Sequence, residues 1–356
     1  WAAIDRIVYP PRLSLEQCSG ERAARYKAAL AGRLTGEYAS AGGGNAAATS
    51  LADLTGGFGV DFAYMSQQFD EATYVERDQQ LCDIAGANFR LLCHRPVATV
   101  CADATDYLHS MDHVSMLFLD PARRDGHGGR TYALADCTPN VVPLVDMMLQ
   151  KADVVMLKLS PMLDWHQAVQ ELGVEYVRQV HIVAVDNECK ELLVVMRRHG
   201  SGCLLVCAND DETFAVDLSR AEVLPPTGCR LPEPSMILCE PNAAVMKGGC
   251  FGELAARFGL SPLSANSHLF VSEGCADGFP GRRFEIVAVT TMNKRRLRAT
   301  LGHLVKANVA VRNFPLGVQE LRRRLKIADG GSDYIFATTQ ANGEHVLLLC
   351  QKMLRD

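Results

Sequence analysis

Residues 50–61 read SLADLTGGFGVD, and this stretch decides the fold. A short apolar segment carrying Asp53 runs into Thr55-Gly56-Gly57-Phe58-Gly59, and a helical pattern follows from Val60. Glycines at such a turn let the backbone approach a ligand closely, and the first turn of the following helix offers free N–H groups and a positive dipole. The stretch predicts a strand, a turn and a helix around a small ligand with polar or anionic groups, although a tight turn without a ligand can have the same pattern.

An acidic residue follows at the distance expected for a nucleotide-binding fold. A second apolar strand, 72–75, ends in Glu76, the place of the residue that holds ribose hydroxyls in doubly wound folds. Two cofactors fit this pattern, a nicotinamide dinucleotide and S-adenosylmethionine. The dinucleotide fingerprint requires Gly or Ala three positions after its second glycine, where this chain has Phe62. Asp53 also suits an ammonium group better than a pyrophosphate, so the pattern favours S-adenosylmethionine.

Composition places the chain among globular proteins with more than one domain. It has 356 residues, 48% hydrophobic and 22% charged, with a net charge of −5. No apolar run is long enough to span a bilayer and no signal peptide is visible, so no membrane partner is expected. The 13 cysteines form no CxxC pair, which favours reduced thiols in a cytoplasm over disulfides or a metal site. The chain starts at Trp1, so the native N-terminus is expected to be missing or processed.

Strand and helix patterns alternate from residue 50 to 199, which predicts a parallel sheet covered on both faces. After the first two strands, three more are expected at 98–101, 115–119 and 154–159. The apolar runs 174–185 and 191–197 have no helix between them and predict an antiparallel hairpin. The expected fold is α/β, with a seven-stranded doubly wound sheet.

A helix is predicted before this sheet, over residues 14–34, with Ser14 and Gln17 as a capping box. Residues 36–49 are expected to form a mobile connection. The basic residues of the helix are interpreted as a solvated face; they are Arg22, Arg25, Lys27 and Arg33.

The region 51–198 resembles class I S-adenosylmethionine-dependent methyltransferases, and Asp120-Pro121-Ala122-Arg123 after the fourth strand resembles the nucleotide-methylating branch. The resemblance implies that Asp53 and the glycine turn line the methionine part of the cofactor, that Glu76 holds the ribose, and that Asp103 with Ala104 borders the adenine. Thr55 stands where the family most often has glycine, and Asp103 is equally suited to cap a helix. The implied cofactor residues are Asp53, Thr55, Gly56, Gly57, Gly59, Glu76, Asp103 and Ala104.

The predicted chemistry centres on Asp120 and Pro121. A carboxylate and a backbone carbonyl that accept the N–H bonds of a base amino group draw its lone pair out of conjugation. Arg123 stands where an aromatic residue is usual and could stack on a base or bind a phosphate. Lys158, within an apolar strand, is either a partner of the substrate or of Asp120, or part of a structural ion pair. An alternative, carbon-5 uracil methylation, would need a nucleophile such as Cys137.

Trp165 and His166, which follow the fifth strand, are weaker candidates for contacting a base that is flipped out of its stack.

The C-terminal part is basic. Residues 293–327 contain ten basic residues and one acidic residue, so the rest of the chain carries −14. This asymmetry favours a polyanionic partner. With two small α+β patterns, it resembles the THUMP-like domains of RNA-modifying enzymes. Phosphate contacts are predicted for a set that could instead be a solvated helix face: Arg295, Arg296, Arg298, Arg322, Arg323, Arg324 and Lys326.

Four segments are predicted: 1–48, a helical segment and linker; 49–199, the methyltransferase domain; 200–280, a small α+β domain; and 281–356, the basic THUMP-like domain. The sequence predicts a methyltransferase of a base amino group in rRNA or tRNA, with S-adenosylmethionine as cofactor. Methylation of DNA or protein, or a non-catalytic RNA-binding protein that retains the cofactor site, are the alternatives.

Overall fold

Strand β1, Ser50–Asp53, lies inside a large sheet and is paired on both sides, with β2 (Glu71–Glu76) and with β4 (Val114–Leu119). The computed structural model describes residues 4–10, 15, 18–40, 48–123, 134–219 and 228–353. The chain divides into two compact units. The first is Trp1–Asp211 with Asp217–Ser219, and the second is Glu212–Val216 with Arg220–Asp356.

The first unit contains six helices and ten strands among the described residues. Its helices are α1 Glu21–Ser40, α2 Val60–Met65, α3 Gln79–Leu92, α4 Ala104–Ser110, α5 Val145–Lys151 and α6 Trp165–Leu172. Its other strands are β3 Ala98–Cys101, β5 Ala122–Arg123, β6 Cys137–Thr138, β7 Ala152–Leu159, β8 Val177–Val185, β9 Glu188–Met196 and β10 Leu204–Asn209.

Eight of these strands form one sheet in the order β10-β8-β9-β7-β4-β1-β2-β3. The strands β3, β2, β1, β4 and β7 are parallel, and β8 and β9 form an antiparallel hairpin whose strand β9 pairs with β7. The seven predicted strands and their doubly wound arrangement are confirmed. Strand β10, which follows the boundary predicted at residue 199, adds an eighth strand parallel to β8.

Both faces of the sheet are covered, because the central strands are apolar on both sides. Met116 and Phe118 of β4 pack with α1, α2 and α3 in one buried cluster. Leu117 and Leu119 alternate with them and face the opposite side, where α5 packs on β4 and β7. Continuous apolar runs such as β4 are typical of parallel strands buried between two helix layers.

Helix α1 occupies other residues than predicted. It begins at Glu21 and ends at Ser40, whereas the expected range was 14–34. Ser14 and Gln17 lie outside the described residues. The helix continues past Gly36 because tertiary contacts hold its end: Arg197 donates to the Leu34 carbonyl at 2.7 Å and lies over the Tyr38 ring. Such contacts override the low helix propensity of glycine.

The second unit is built on a seven-stranded sheet in the order β13-β14-β12-β15-β18-β17-β16, in which the pair β16 and β17 is parallel. The seven strands of this sheet are β12 Ile237–Pro241, β13 Ser261–Pro262, β14 Phe270–Ser272, β15 Gly281–Thr291, β16 Asn308–Arg312, β17 Asp333–Thr339 and β18 His345–Lys352. Strand β11, Glu212–Asp217, lies mostly in this unit but outside this sheet. Its helices are α7 Ala243–Gly248, α8 Phe251–Phe258, α9 Lys294–Leu301 and α10 Val318–Leu325.

Helices α9 and α10 place Leu301 and Leu321 in a buried cluster with Leu347 and Leu349 of β18. Two helices follow β12 rather than one, because Gly249 takes a left-handed conformation that ends α7. The small α+β character predicted for the C-terminal part is confirmed. The further division at residue 280 stays a prediction.

Candidate active site

The glycine turn connects β1 to α2. The N–H of Gly56 donates to the Val75 carbonyl at 2.9 Å, so the turn lies against the end of β2. A Cβ atom on Gly56 would overlap with the buried ring of Tyr74, whose hydroxyl donates to the Gly57 carbonyl. Only glycine therefore fits at residue 56. This contact fixes the turn, the predicted ligand cradle, against β2.

Glu76 closes this cradle at the tip of β2. Its Oε2 atom accepts from the N–H of Gly57 at 3.0 Å, and its Oε1 atom accepts from the N–H of Asp78 at 3.0 Å. A carboxylate oxygen can accept a second hydrogen bond. Glu76 is thus fixed by the backbone and retains acceptor capacity for two hydroxyl groups, which fits a ribose.

Asp53 is the most buried carboxylate of the site, with 1% of its surface exposed. Its Oδ1 atom accepts from the N–H of Thr55 at 3.0 Å. Burial raises the pKa of Asp53 well above its usual range, and the negative charges of Asp61, Asp120 and Glu76 add to this effect. A positive group bound beside Asp53 would relieve this repulsion, so the environment fits a cationic ligand such as an ammonium or sulfonium.

Asp103 and Ala104 begin α4 near the same end of the sheet. Asp103 caps the helix, accepting from the N–H groups of Thr105 at 2.8 Å and Asp106 at 3.4 Å. The N–H of Ala102 donates to the Glu76 carbonyl, which brings this turn beside the tip of β2. The capping role is therefore present, and the location is also compatible with contact to a ligand held by Glu76.

Asp120 follows β4 directly and is joined to the glycine turn. Its N–H donates to the Thr55 hydroxyl at 2.6 Å, which gives a structural use to the residue that departs from the family pattern. The Asp120 side chain is 36% exposed, while Pro121 is buried. The backbone of Arg123 pairs with Cys137 in the small sheet of β5 and β6, but the Arg123 side chain lies outside what the structure describes.

Lys158, near the end of β7, donates to Oδ2 of Asp120. Its side chain is 12% exposed, and its ammonium also lies 3.6 Å from Asp61 Oδ2. Burial alone would lower the pKa of Lys158, but the carboxylates of Asp120, Asp61 and Glu191 outweigh it and raise the pKa above its usual range. Lys158 therefore carries its charge at neutral pH. The structure brings Lys158 to Asp120 and also into an ion pair with Asp61, so both interpretations of Lys158 stay predictions.

Three charged residues beside this pair were not predicted as part of the site. Lys27 of α1, interpreted from the sequence as part of a solvated face, is completely buried and lies 2.6 and 2.5 Å from the carboxylate oxygens of Glu191, which is 2% exposed. Asp61 of α2 lies 3.2 Å from Lys27. A signal was present, because the residues three and four positions from Lys27, on the same side of α1, are all apolar: Ala23, Ala24, Leu30 and Ala31. The other three basic residues of α1 are paired at the surface, as predicted for a solvated face.

Two weaker candidates lie at the start of α6. Trp165 is buried and stacks on His166 with the ring centroids 3.6 Å apart. The His166 side chain is exposed. Within the described ranges, the indole N–H of Trp165 has no hydrogen-bond partner.

The basic residues of the second unit fall into two groups. On α9, Arg295, Arg296 and Arg298 are exposed, and none of them forms an ion pair with another described residue. On α10, Arg322 pairs with Asp329 and Arg324 pairs with Glu320. Arg323 and Lys326 are exposed and, in the described part of the chain, have no ion-pair partner. Of the predicted phosphate contacts, those without an ion-pair partner among the described residues are therefore Arg295, Arg296, Arg298, Arg323 and Lys326.

Neither a membrane-spanning helix nor a metal site is found among the described residues. No described helix has both the length and the apolar character to cross a bilayer. No group of three or more His, Cys, Asp or Glu side chains within these ranges is arranged to hold a metal ion.

Comparison with known proteins gives two family matches and several solved structures. A model for a THUMP domain-like family matches residues 281–352, and one for a ferredoxin-like domain matches residues 238–280. None of the curated protein sequences matches the chain. A proposed RNA methyltransferase from Pyrococcus horikoshii (17% identity, 53% of this chain and 90% of that chain, TM-score 0.36) overlaps too weakly to support an argument. The same holds for a proposed methyltransferase from Streptococcus mutans in complex with SAH (13%, 42% and 87%, TM-score 0.31).

One similarity extends over nearly the whole chain. A proposed methyltransferase from Porphyromonas gingivalis W83 is 31% identical, with 99% of this chain and 86% of that chain covered and a TM-score of 0.86. Both the sheet with its glycine turn and the C-terminal unit lie within the matched length. The chain therefore belongs to the methyltransferase family of the Porphyromonas gingivalis protein, with a class I methyltransferase fold and a THUMP-like C-terminal domain.

Proposed function

We propose that the chain is an S-adenosylmethionine-dependent methyltransferase that modifies a base amino group of RNA, in rRNA or tRNA. The observation that carries the proposal is the link between the glycine turn and Asp120. Thr55 belongs to the turn, and its hydroxyl holds the backbone of Asp120 at 2.6 Å. Residues suited to a nucleotide-like cofactor and a carboxylate suited to an acceptor group thus share one edge of the sheet.

The cofactor residues would be Asp53, the turn through Gly56, Gly57 and Gly59, Glu76, and the Asp103–Ala104 turn. When bound, S-adenosylmethionine supplies a methyl group already activated by its sulfonium. Support comes from the contact of Gly56 with Tyr74, which fixes the turn, from the free acceptor capacity of Glu76 and from the acidic surroundings of Asp53. The role of these residues is to orient the donor and exclude water rather than to provide acid–base chemistry.

Asp120 would hold the acceptor. Lys158 occupies its Oδ2 atom, and within the described ranges Oδ1 has no hydrogen-bond partner. Oδ1 can therefore accept an N–H of the target amine, and the carbonyl of buried Pro121 is the candidate for the second N–H. As the nitrogen becomes bonded to carbon it must lose a proton, and the Asp120 carboxylate is the nearest group that can take it. Lys158 cannot, because its raised pKa keeps it protonated.

RNA as the substrate is supported by the THUMP-like match and by the exposed cations on α9 and α10. Five exposed cations without described partners can contact phosphates without first breaking an ion pair. The cations would serve DNA equally well, so the preference for RNA rests on the THUMP-like match.

The test is methyl transfer from labelled S-adenosylmethionine to RNA of a strain lacking the protein, followed by mass spectrometry of the nucleosides. We expect a base-methylated nucleoside from the wild type, and a loss of about 100-fold or more in rate for Asp120→Ala with unchanged SAH binding. Asp112→Ala is the matched control, because Asp112 is exposed just before β4, at the opposite end of the strand from Asp120. Transfer to DNA or protein alone, a ribose-methylated product, or full activity of Asp120→Ala would each contradict the proposal.

A further inference from the structure

Four charged side chains of alternating sign form a line through the first unit. Lys27 lies 3.2 Å from Asp61, Asp61 lies 3.6 Å from Lys158, and Lys158 donates to Asp120. The line starts in the buried pair of Lys27 and Glu191 and ends at the partly exposed carboxylate beside the glycine turn. It connects three separate elements, α1, α2 and β7, to the residue after β4.

Asp61 is the member of this line to which sequence reasoning assigned no role. Its Oδ2 atom accepts from the Ser19 hydroxyl at 2.8 Å, and the two lysines approach it from different elements. Burial alone would raise its pKa, but Lys27 and Lys158 outweigh this and lower the pKa of Asp61 below its usual range. Asp61 is therefore ionised at neutral pH and carries the negative charge between two buried ammonium groups.

The position of Lys158 depends on both of its carboxylate partners. A lysine side chain has four rotatable carbon segments and a compact ammonium with three donors, so one ion pair does not fix its location. A second carboxylate, on α2, holds the ammonium from another direction. Asp61 lies in the first turn of α2, two residues after Gly59. The beginning of this helix therefore both continues from the glycine turn and supplies a carboxylate to Lys158.

We propose that Asp61 is a positioning residue, which acts through Lys158 to hold the Asp120 carboxylate in the orientation that the acceptor needs. The inference rests on the proposed function. It assigns Asp61 no contact with substrate or cofactor. Its effect is on the geometry of Asp120, and a displacement of about 1 Å at such a group can slow a reaction about 100-fold.

The experiment measures kcat, KM for RNA and SAH affinity for Asp61→Asn, which keeps the shape of the side chain and removes its charge. We expect kcat to fall about 10- to 100-fold, with KM and SAH affinity unchanged. Asp83→Asn is the matched control, because Asp83 is an exposed aspartate on α3 that bonds only to Gln79 among the described residues. The control should keep the wild-type kcat.

A double variant separates positioning from a purely structural role. If Asp61 acts through Lys158, then Asp61→Asn combined with Lys158→Met should be no slower than Lys158→Met alone. Should Asp61→Asn fail to fold, Ser19→Ala replaces it, because this change removes the hydroxyl that holds Asp61 Oδ2 and leaves every charge in place. For Ser19→Ala we expect a smaller loss of kcat that also disappears in the Lys158→Met background.

Three results would overturn the inference. A kcat of Asp61→Asn equal to that of the wild type would do so, as would effects of the two substitutions that multiply in the double variant. In either case the wild type would still methylate RNA, and the proposed function would stand. Absence of any transfer by the wild type would instead overturn the proposed function, and the inference with it.

Discussion

Replacement of Lys27 by methionine tests the buried end of the line formed by Lys27, Asp61, Lys158 and Asp120, called the charged line here. The Lys27 ammonium is completely buried and lies 2.6 and 2.5 Å from the oxygens of Glu191. At 2.6 Å and an effective dielectric constant of about 20, the attraction is about 6 kcal/mol. Much of it offsets the desolvation of both ions, but Lys27→Met would leave Glu191 buried without that partner. We expect the free energy of unfolding to fall by about 3–5 kcal/mol.

The fall in the free energy of unfolding on Lys27→Met should depend on pH. Glu191 determines whether this fall becomes larger or smaller as the pH rises. Burial already raises the pKa of Glu191 in the folded protein, although Lys27 opposes this, and removal of Lys27 would raise it further. A carboxyl whose folded pKa is raised contributes stability at low pH and loses it as pH rises through that pKa. The cost of Lys27→Met should therefore be smaller at about pH 5 than at about pH 7.5.

The assay is urea unfolding followed by tryptophan fluorescence. The chain has two tryptophans, so in a Trp1→Phe background the buried Trp165 reports on the first unit alone. Arg33→Met is the control, because Arg33 is exposed on the same helix and should cost at most about 0.5 kcal/mol. Lys27→Met combined with Glu191→Leu should recover part of the loss. A cost below about 1 kcal/mol for Lys27→Met, or no recovery in the double variant, would refute the reasoning.

Three further predictions concern other parts of the chain. Gly56→Ala places a Cβ into the ring of Tyr74 and should cost about 1–3 kcal/mol and abolish SAH binding in calorimetry; normal binding would contradict the cradle. Burial lowers the pKa of His181 to about 3, so unfolding midpoints should fall as pH drops below about 6.5, and less steeply for His181→Gln. Arg323→Glu with Lys326→Glu should weaken RNA binding and flatten its salt dependence in filter binding; an unchanged salt slope would exclude them from phosphate contact.

Much of the sheet could be predicted because its signals are local. A few consecutive residues are enough to predict several of its parts: the apolar runs of β4 and β7, the glycine turn, and the hairpin between Val185 and Glu188. The order of strands in a doubly wound sheet then follows from the resemblance to a known fold. Local patterns also predict Asp120 at the end of β4, where ligands of such sheets bind.

The charged line could not be predicted in the same way. The small apolar residues beside Lys27 indicate a buried side of α1, but its partner Glu191 lies on β9, 164 positions along the chain, and no local pattern connects the two. Asp61 resembles an ordinary acidic residue in the first turn of a helix, a position favoured by the helix dipole. The length of α1 was missed for the same reason, because Arg197 fixes the end of that helix from a distant part of the chain.

The pairing of Lys27 with Glu191 also bears on how the protein forms during synthesis. The two residues are 164 positions apart. At about 5–20 residues per second, a ribosome would make Glu191 about 10 to 30 s after Lys27. Throughout that interval α1 lacks β9, the strand that carries the partner of its buried lysine. The buried ion pair can therefore form only after nearly all of the first unit has been translated.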